Sequence, residues 1–181
     1  SDGKHVVRLD LDGTVVGTPQ TIELGPEYED DEDASRLFKR YLARVRSEDL
    51  LAALPRTGAE GLVGSYACKP CHAKAFKAWS NSQHAHALET LRGLDEDADP
   101  DCVACHVTRI EAADGYRPNS GSTKLAGVGC ESCHGPARLH ARNPSKYRMR
   151  KVSETQCSTC HSTERSPKFT FAQYWPRIRH S

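Results

Sequence analysis

The sequence predicts a mainly α fold with long loops, organised around bound cofactors instead of a side-chain core. A short β-hairpin arm and one amphipathic helix precede it. Three observations lead there. The pattern Cys-x-x-Cys-His occurs four times, at residues 68–72, 102–106, 130–134 and 157–161, and uses every one of the 8 cysteines. Hydrophobic residues are only 37% of the chain and aromatic residues 7%, a lean supply for an ordinary core. Apolar residues recur at helical spacing after residue 33 and alternate only near the N-terminus.

Two thiols three residues apart, followed at once by a histidine, read as a covalent haem attachment site. Cys68 and Cys71, Cys102 and Cys105, Cys130 and Cys133, and Cys157 and Cys160 would each add to the two vinyl groups of one haem. His72, His106, His134 and His161 would each sit beneath the iron. Zinc sites also use Cys-x-x-Cys, but they do not require a histidine after the second cysteine. A disulfide framework leaves the four histidines unexplained. Iron–sulfur clusters use other spacings. The expected cofactors are therefore four haem c groups, and the expected class is a haem-dominated multihaem cytochrome c domain.

A chain of 181 residues is one domain or one domain with an arm. The reading here is an arm over residues 1–61 and a tetrahaem domain over 62–181. Porphyrin faces replace side-chain packing, so the apo-chain is expected to be largely unfolded. The formal net charge of +1 omits the haem propionates, which make the assembled protein mildly acidic. Nothing in this balance suggests a nucleic-acid partner. No apolar stretch approaches the roughly 18 residues of a membrane span. Haem attachment to this motif takes place outside the cytoplasm. An exported precursor and a periplasmic or extracellular location are expected, with the signal sequence absent from this processed form.

Along the chain, residues 5–16 alternate like a strand, and Asp12-Gly13 is a two-residue hairpin turn signal. Residues 27–33 are an acidic run. From 33 to 54 the pattern turns helical. Leu37, Phe38, Tyr41, Leu42 and Val45 fall on one face, and Arg36, Lys39, Arg40, Arg44 and Arg46 take the rest. Pro55 should stop this helix. The basic face is read as solvated, with docking of an acidic partner as the lesser reading. Residues 56–64 read as a glycine-containing linker. Residues 70–79 should be a short helix, and Ser82 should cap a second helix reaching Arg92. Residues 111–129 read as a surface loop or small hairpin. Ser153-Glu-Thr-Gln156 has the capping-box pattern. The aromatic tail, 169–180, could pack on a porphyrin and bring His180 to an iron.

Four irons need up to four more ligands. His5, His84, His86, His140 and His180 remain, and Met149 is the one methionine. Methionine ligation throughout is impossible, which argues for low-potential, bis-histidine haems. His84, His140 and His180 are the expected distal ligands, with His86 or His5 as the fourth. His84 and His86, two apart on a predicted helix, would have to serve different haems.

Several stretches carry a resemblance to a known family. They are Gly64-Ser-Tyr-Ala-Cys68, Trp79-Ser-Asn-Ser-Gln-His84-Ala-His86, Cys105-His-Val-Thr108, and Gly129-Cys-Glu-Ser-Cys-His-Gly-Pro136 with a later His140. Together they resemble the tetrahaem cytochromes typified by the electron acceptor of hydroxylamine oxidoreductase in ammonia oxidisers, over roughly residues 62–181. The resemblance implies a mainly helical fold, haems in closely stacked pairs, and distal roles for His84, His140 and His180. One haem of that family's type protein is five-coordinate, a position His86 could fill here. Residues 1–61 weakly resemble the segment that follows a 5′-nucleotidase-like phosphoesterase domain in bacterial fusions, although the phosphoesterase's metal motifs are absent.

The function expected is electron transfer, with redox proteins or extracellular acceptors as partners. If His86 is not a ligand, His5 of a neighbouring copy could complete an iron, and head-to-tail contacts of that kind would build a homo-oligomeric filament. The alternative is a small reductase of nitrogen or sulfur compounds with one open iron.

Overall fold

The computed structural model describes residues 5–13, 15–25, 27–119 and 123–180. The arm is a two-tier hairpin. Strand β1 (His5–Arg8) pairs antiparallel with β4 (Gln20–Glu23), in register from His5 opposite Glu23 to Arg8 opposite Gln20. Within it, β2 (Leu11–Asp12) pairs with β3 (Val15–Val16). The tip contains Gly13 at φ 59, the left-handed conformation that the Asp-Gly signal anticipates.

The helix expected over 33–54 is two helices. Helix α1 (Glu32–Ser47) begins at Asp31, whose carboxylate accepts from Ala34 N–H at 2.8 Å. Its acidic first turn and basic last turn suit the helix dipole. Asp49 adopts φ 50 and ψ 42, which breaks the ladder before α2 (Leu50–Ala53). Leu54 is extended ahead of Pro55, as a residue preceding proline must be. The apolar face of α1 divides along its length. Leu42 and Val45 are buried, whereas Leu37, Phe38 and Tyr41 are 61%, 41% and 42% exposed.

Residues 56–64 are bonded into the body of the molecule, contrary to the expected linker. Thr57 and Gly58 N–H donate to Glu111 O at 3.1 and 3.0 Å. Arg56 donates to the carbonyls of Leu51, Ile110 and Tyr116. Gly58 and Ala112 form an isolated parallel bridge, so 111–129 is no simple surface loop either. It buries Ala112, Tyr116 and Leu125, because the short helices alone cannot enclose Val103 and Val107.

A 3-10 turn (Ser65–Cys68) leads into α3 (Ala73–Ser80). Helix α4 (Ala87–Gly93) starts later than Ser82 would place it. Ser82 Oγ donates backwards to Trp79 O at 2.6 Å instead of capping, and residues 82–86 are turns. Helices α5 (Pro100–His106), α6 (Cys130–His134), α7 (Arg138–Arg142), α8 (Glu154–Ser158) and α9 (Phe171–Ile178) complete the chain. The Gln156 side chain reaches back to Ser153 N–H at 2.8 Å, as the capping pattern predicts. Side chains of α1, α2, α4, α5 and the 107–125 segment form one apolar cluster. After Ala137 no described residue is buried. The architecture is mainly helical with an N-terminal hairpin.

Candidate haem centres

Local structure places each Cys-x-x-Cys-His at a short helix or helical turn, so the two thiols and the histidine project to one side. Helix α5 carries all of Cys102, Cys105 and His106, with Asp99 capping its start through a 2.9 Å bond from Asp101 N–H. Helix α6 carries Cys130, Cys133 and His134. Cys68 ends the 3-10 turn and His72 precedes α3, its N–H donating to Cys68 O at 2.9 Å. His161 N–H repeats that bond to Cys157 O, also at 2.9 Å. None of the eight cysteines is paired in a disulfide.

The thiols set the four motifs in series. The thiols of Cys68 and Cys130 are neighbours, and each other's presence pushes the first up and the second down. Cys105 and Cys160 are neighbours in the same way, with Cys105 lowered and Cys160 raised. Cys133 is raised by burial and by its neighbour Cys157. The spatial order of the motifs is therefore first, third, fourth, second.

Three pairs of histidines face each other. The ring centroids of His72 and His140 are 6.1 Å apart, those of His84 and His161 6.0 Å, and those of His134 and His180 6.0 Å. A metal–imidazole bond is about 2 Å and the ring centre lies about 1 Å behind the nitrogen, so two rings gripping one ion from opposite sides stand roughly 6 Å apart. Each pair joins one motif histidine to one spare histidine. The residues present fit haem iron at these places.

The far ring nitrogens are held as such ligands require. His140 Nδ1 meets Tyr147 O at 2.7 Å, His134 Nδ1 meets Arg150 O at 3.0 Å, and His180 Nδ1 meets Ile178 O at 2.9 Å. Each bond makes Nδ1 the donor and leaves the Nε2 lone pair free. His161 Nδ1 lies 3.0 Å from Ser166 Oγ, and Phe169 stacks flat on its ring at 4.4 Å. Burial pushes the pKa of His84 down, with His161 adding to it, and burial alone lowers His161. Both imidazoles are thereby kept in the neutral form that binds metal.

His106 stands apart. Its Nδ1 meets Ala87 O at 2.7 Å, yet it has no ring contact with another histidine among the described residues. His86 is occupied elsewhere, with Nδ1 on Glu89 Oε2 at 2.9 Å and Nε2 on Ser80 O at 3.2 Å. His5 lies on β1, and its side chain falls outside the described residues.

Four polar residues that sequence reasoning left without a role organise these sites. Glu131, inside the third motif, is 1% exposed and its carboxylate accepts from Val63, Gly64 and Ala137 N–H. Ser65 Oγ accepts from Cys130 N–H at 3.0 Å, a second tie between the first and third motifs. Thr108 accepts from Gly129 N–H and donates to Gly127 O, both at 2.9 Å. Val128 N–H in turn donates to His84 O at 2.8 Å, which fixes the His84 turn. Asp114 accepts from Gly61 and Leu62 N–H and from Arg138. Burial works against its charge, but these donors hold the carboxyl below its ordinary range. The sequence signal was a charged or hydroxyl residue beside a motif, in Cys-Glu-Ser-Cys-His and His-Val-Thr, but it carries no partner.

Residues 67–135 match the family described as "Cytochrome c554 and c-prime". Cytochrome c-554 of Nitrosomonas europaea is 32% identical, over 62% of this chain and 63% of that protein. The chain thus spans somewhat under two thirds of that relative's length. The reduced-state structure of cytochrome c554 from Nitrosomonas europaea superposes with a TM-score of 0.51 at 25% identity, covering 65% of this chain and 83% of that one. The sequence resemblance and the mainly helical fold agree with these matches. The phosphoesterase-fusion likeness of residues 1–61 finds no support in them. The four motifs and this likeness make the cofactors four haem c groups.

Proposed function

We propose that the protein is an electron carrier. The haems, when bound, supply the reversible one-electron chemistry, and the chain's own residues set their ligation, spacing and exposure. Three facing histidine pairs carry the proposal. His72 with His140, His134 with His180, and His161 with His84 would each close one iron on both sides. Closed irons leave no place for a substrate, and the series of adjacent thiols brings the four groups into a row. Buried Glu131 and Ser65 hold the first and third attachment sites together, and Thr108 steadies His84. His86 is assigned to the Glu89 and Ser80 contacts, not to an iron. The arm and the tetrahaem body are read as 1–61 and 62–181, with α1 and α2 packing on the body.

The test is a reductive titration of the holoprotein with spectra of the ferrous state with and without carbon monoxide. The expected result is four electrons per chain and carbon monoxide at one haem in four. Binding at none, or at two or more, would contradict the ligand assignment. One observation favours a second reading. His106 has no facing histidine ring among the described residues, so its haem is where a small reductase of nitrogen or sulfur compounds would work. It is also where His5 from another copy could act in a filament. Deleting residues 1–10 separates that case: a filament would lose its size in light scattering, while a carrier would keep it. The location that suits both readings is periplasmic or extracellular.

A further inference from the structure

Charge is segregated along the row of haem sites. Residues 61–88 and 132–153 contain no Asp or Glu, and they contribute the two histidines of the His72–His140 pair. From the first segment Lys69, Lys74 and Lys77 are exposed. From the second, Arg142, Lys146, Arg148 and Lys151 are exposed. None of these seven cations is ion-paired among the described residues. Of the carboxylates bonded to these segments, Asp114 pairs with Arg138 and Glu131 is buried on backbone N–H groups; Glu60, Glu89 and Glu154 border the segments in sequence. One haem brings two propionates, so most of this positive charge stays uncompensated.

The opposite end of the row differs. Ahead of His106, residues 89–101 carry Glu89, Asp95, Glu96, Asp97, Asp99 and Asp101 against the single cation Arg92. The basic face of α1 also differs, because ion pairs neutralise much of it. Arg36 is paired with Asp33, Arg44 with Glu48, and Arg46 with Asp95 and Asp97.

We infer that the surface around the His72–His140 pair is the docking face for an acidic redox protein. The inference rests on the electron-carrier reading. The face lies at one terminus of the spatial series, where an electron must enter or leave. Clustered unpaired cations there raise the local concentration of an anionic partner and orient it, even though the chain's net charge is close to zero. A membrane surface would also attract cations, but it offers no reason for them to gather at a terminal haem.

The test uses the holoprotein, fully reduced, in stopped-flow oxidation. Ferricyanide, a trianion that takes one electron per ion and becomes ferrocyanide, is the anionic probe. Hexaammineruthenium(III) is the cationic one. The variant Lys146→Glu/Arg148→Glu/Lys151→Glu is compared with Arg36→Glu/Lys39→Glu/Arg40→Glu, which makes the same charge change on α1. At low ionic strength the first variant should slow ferricyanide oxidation about tenfold, and the second less than about twofold. The difference should vanish in about 0.5 M salt. Poly-L-glutamate, the macromolecular probe, should compete with ferricyanide in the wild type and the α1 variant only. Equal slowing by both variants, or by neither, would overturn the docking face. So would sedimentation with phosphatidylglycerol vesicles that only the first variant loses while poly-L-glutamate fails to compete. The carrier reading is scored separately by the wild type, which must release four electrons to either oxidant.

Discussion

Replacing Glu131 by glutamine tests whether one buried carboxylate fixes the spacing of the first and third haem sites. The change is nearly isosteric, so it leaves no cavity. Oε1 lies 3.0 Å from Val63 N and 2.9 Å from Ala137 N, and Oε2 lies 2.7 Å from Gly64 N. An amide keeps one oxygen and turns the other into a donor. Whichever way it is oriented, at least one buried N–H then faces an N–H. Hydrogen bonds to a charged group contribute about 1.5–3 kcal/mol each, and a buried unpaired N–H costs about 1–3 kcal/mol. Removing a buried charge offsets part of this. The net loss should be about 3 kcal/mol, which is roughly 6–12 °C in Tm for a chain of this size.

The assay is thermal unfolding of the ferric holoprotein, followed by far-ultraviolet circular dichroism and by the Soret band. Cofactors compromise a single two-state midpoint, so both probes are needed. Because the carboxylate joins 63–64 to α6 and Ala137, the Soret transition should move at least as far as the helical one. A Glu131→Gln variant melting within about 2 °C of the wild type would show that these bonds are not what holds the two sites together.

Three further outcomes follow from the same geometry. His180→Ala should keep four covalent haems but turn one low-spin centre high-spin in electron paramagnetic resonance, because His134 then has no facing ring. His86→Ala should leave every low-spin signal in place, since both its ring nitrogens are engaged by Glu89 and Ser80. Asp114 has a lowered folded pKa, so the stability it contributes is present above the unfolded carboxylate range and is lost as pH falls through the folded value. Asp114→Asn should therefore be less stable than the wild type near neutrality, with the gap narrowing below about pH 4 in denaturant titrations.

Much of the site could be read from spacing alone. Cys-x-x-Cys-His states its own chemistry, because covalent attachment and proximal ligation need those residues in that order. The hairpin was legible for a similar reason: Asp12-Gly13 is a local signal and the flanking alternation is short. What could not be read depends on distant partners. His84 and His86 look equivalent in the sequence. They differ in the fold because Val128 N–H and the close approach of Gly127 to Ala85 O shape the first turn, while Glu89 lies one helical turn beyond the second. Gly127 is at φ 78, and a Cβ there would stand 2.5 Å from Ala85 O, so only glycine allows that approach. The continuous helix expected over 33–54 failed at Asp49, where three polar residues, Ser47, Glu48 and Asp49, offer the backbone little reason to continue.

The lean composition takes on a specific meaning once the buried residues are located. They gather around α5, where α1, α2, α4 and the 107–125 segment enclose Val103 and Val107. The remaining motifs lie outside that cluster, and α7, α8 and α9 bury no side chain. What orders the C-terminal third is instead a set of ties to histidines: Tyr147 O to His140, Arg150 O to His134, and Phe169 on His161. A carbonyl that orients a metal ligand cannot stabilise a fold by much on its own, since one hydrogen bond contributes only about 1 kcal/mol. Such ties become strong when the ligand they orient is itself anchored, as a histidine on iron is. With those histidines bound to iron, folding and cofactor binding in that third would be one event, while the α5 region has a core of its own. This division explains how 37% hydrophobic residues suffice for 181 positions.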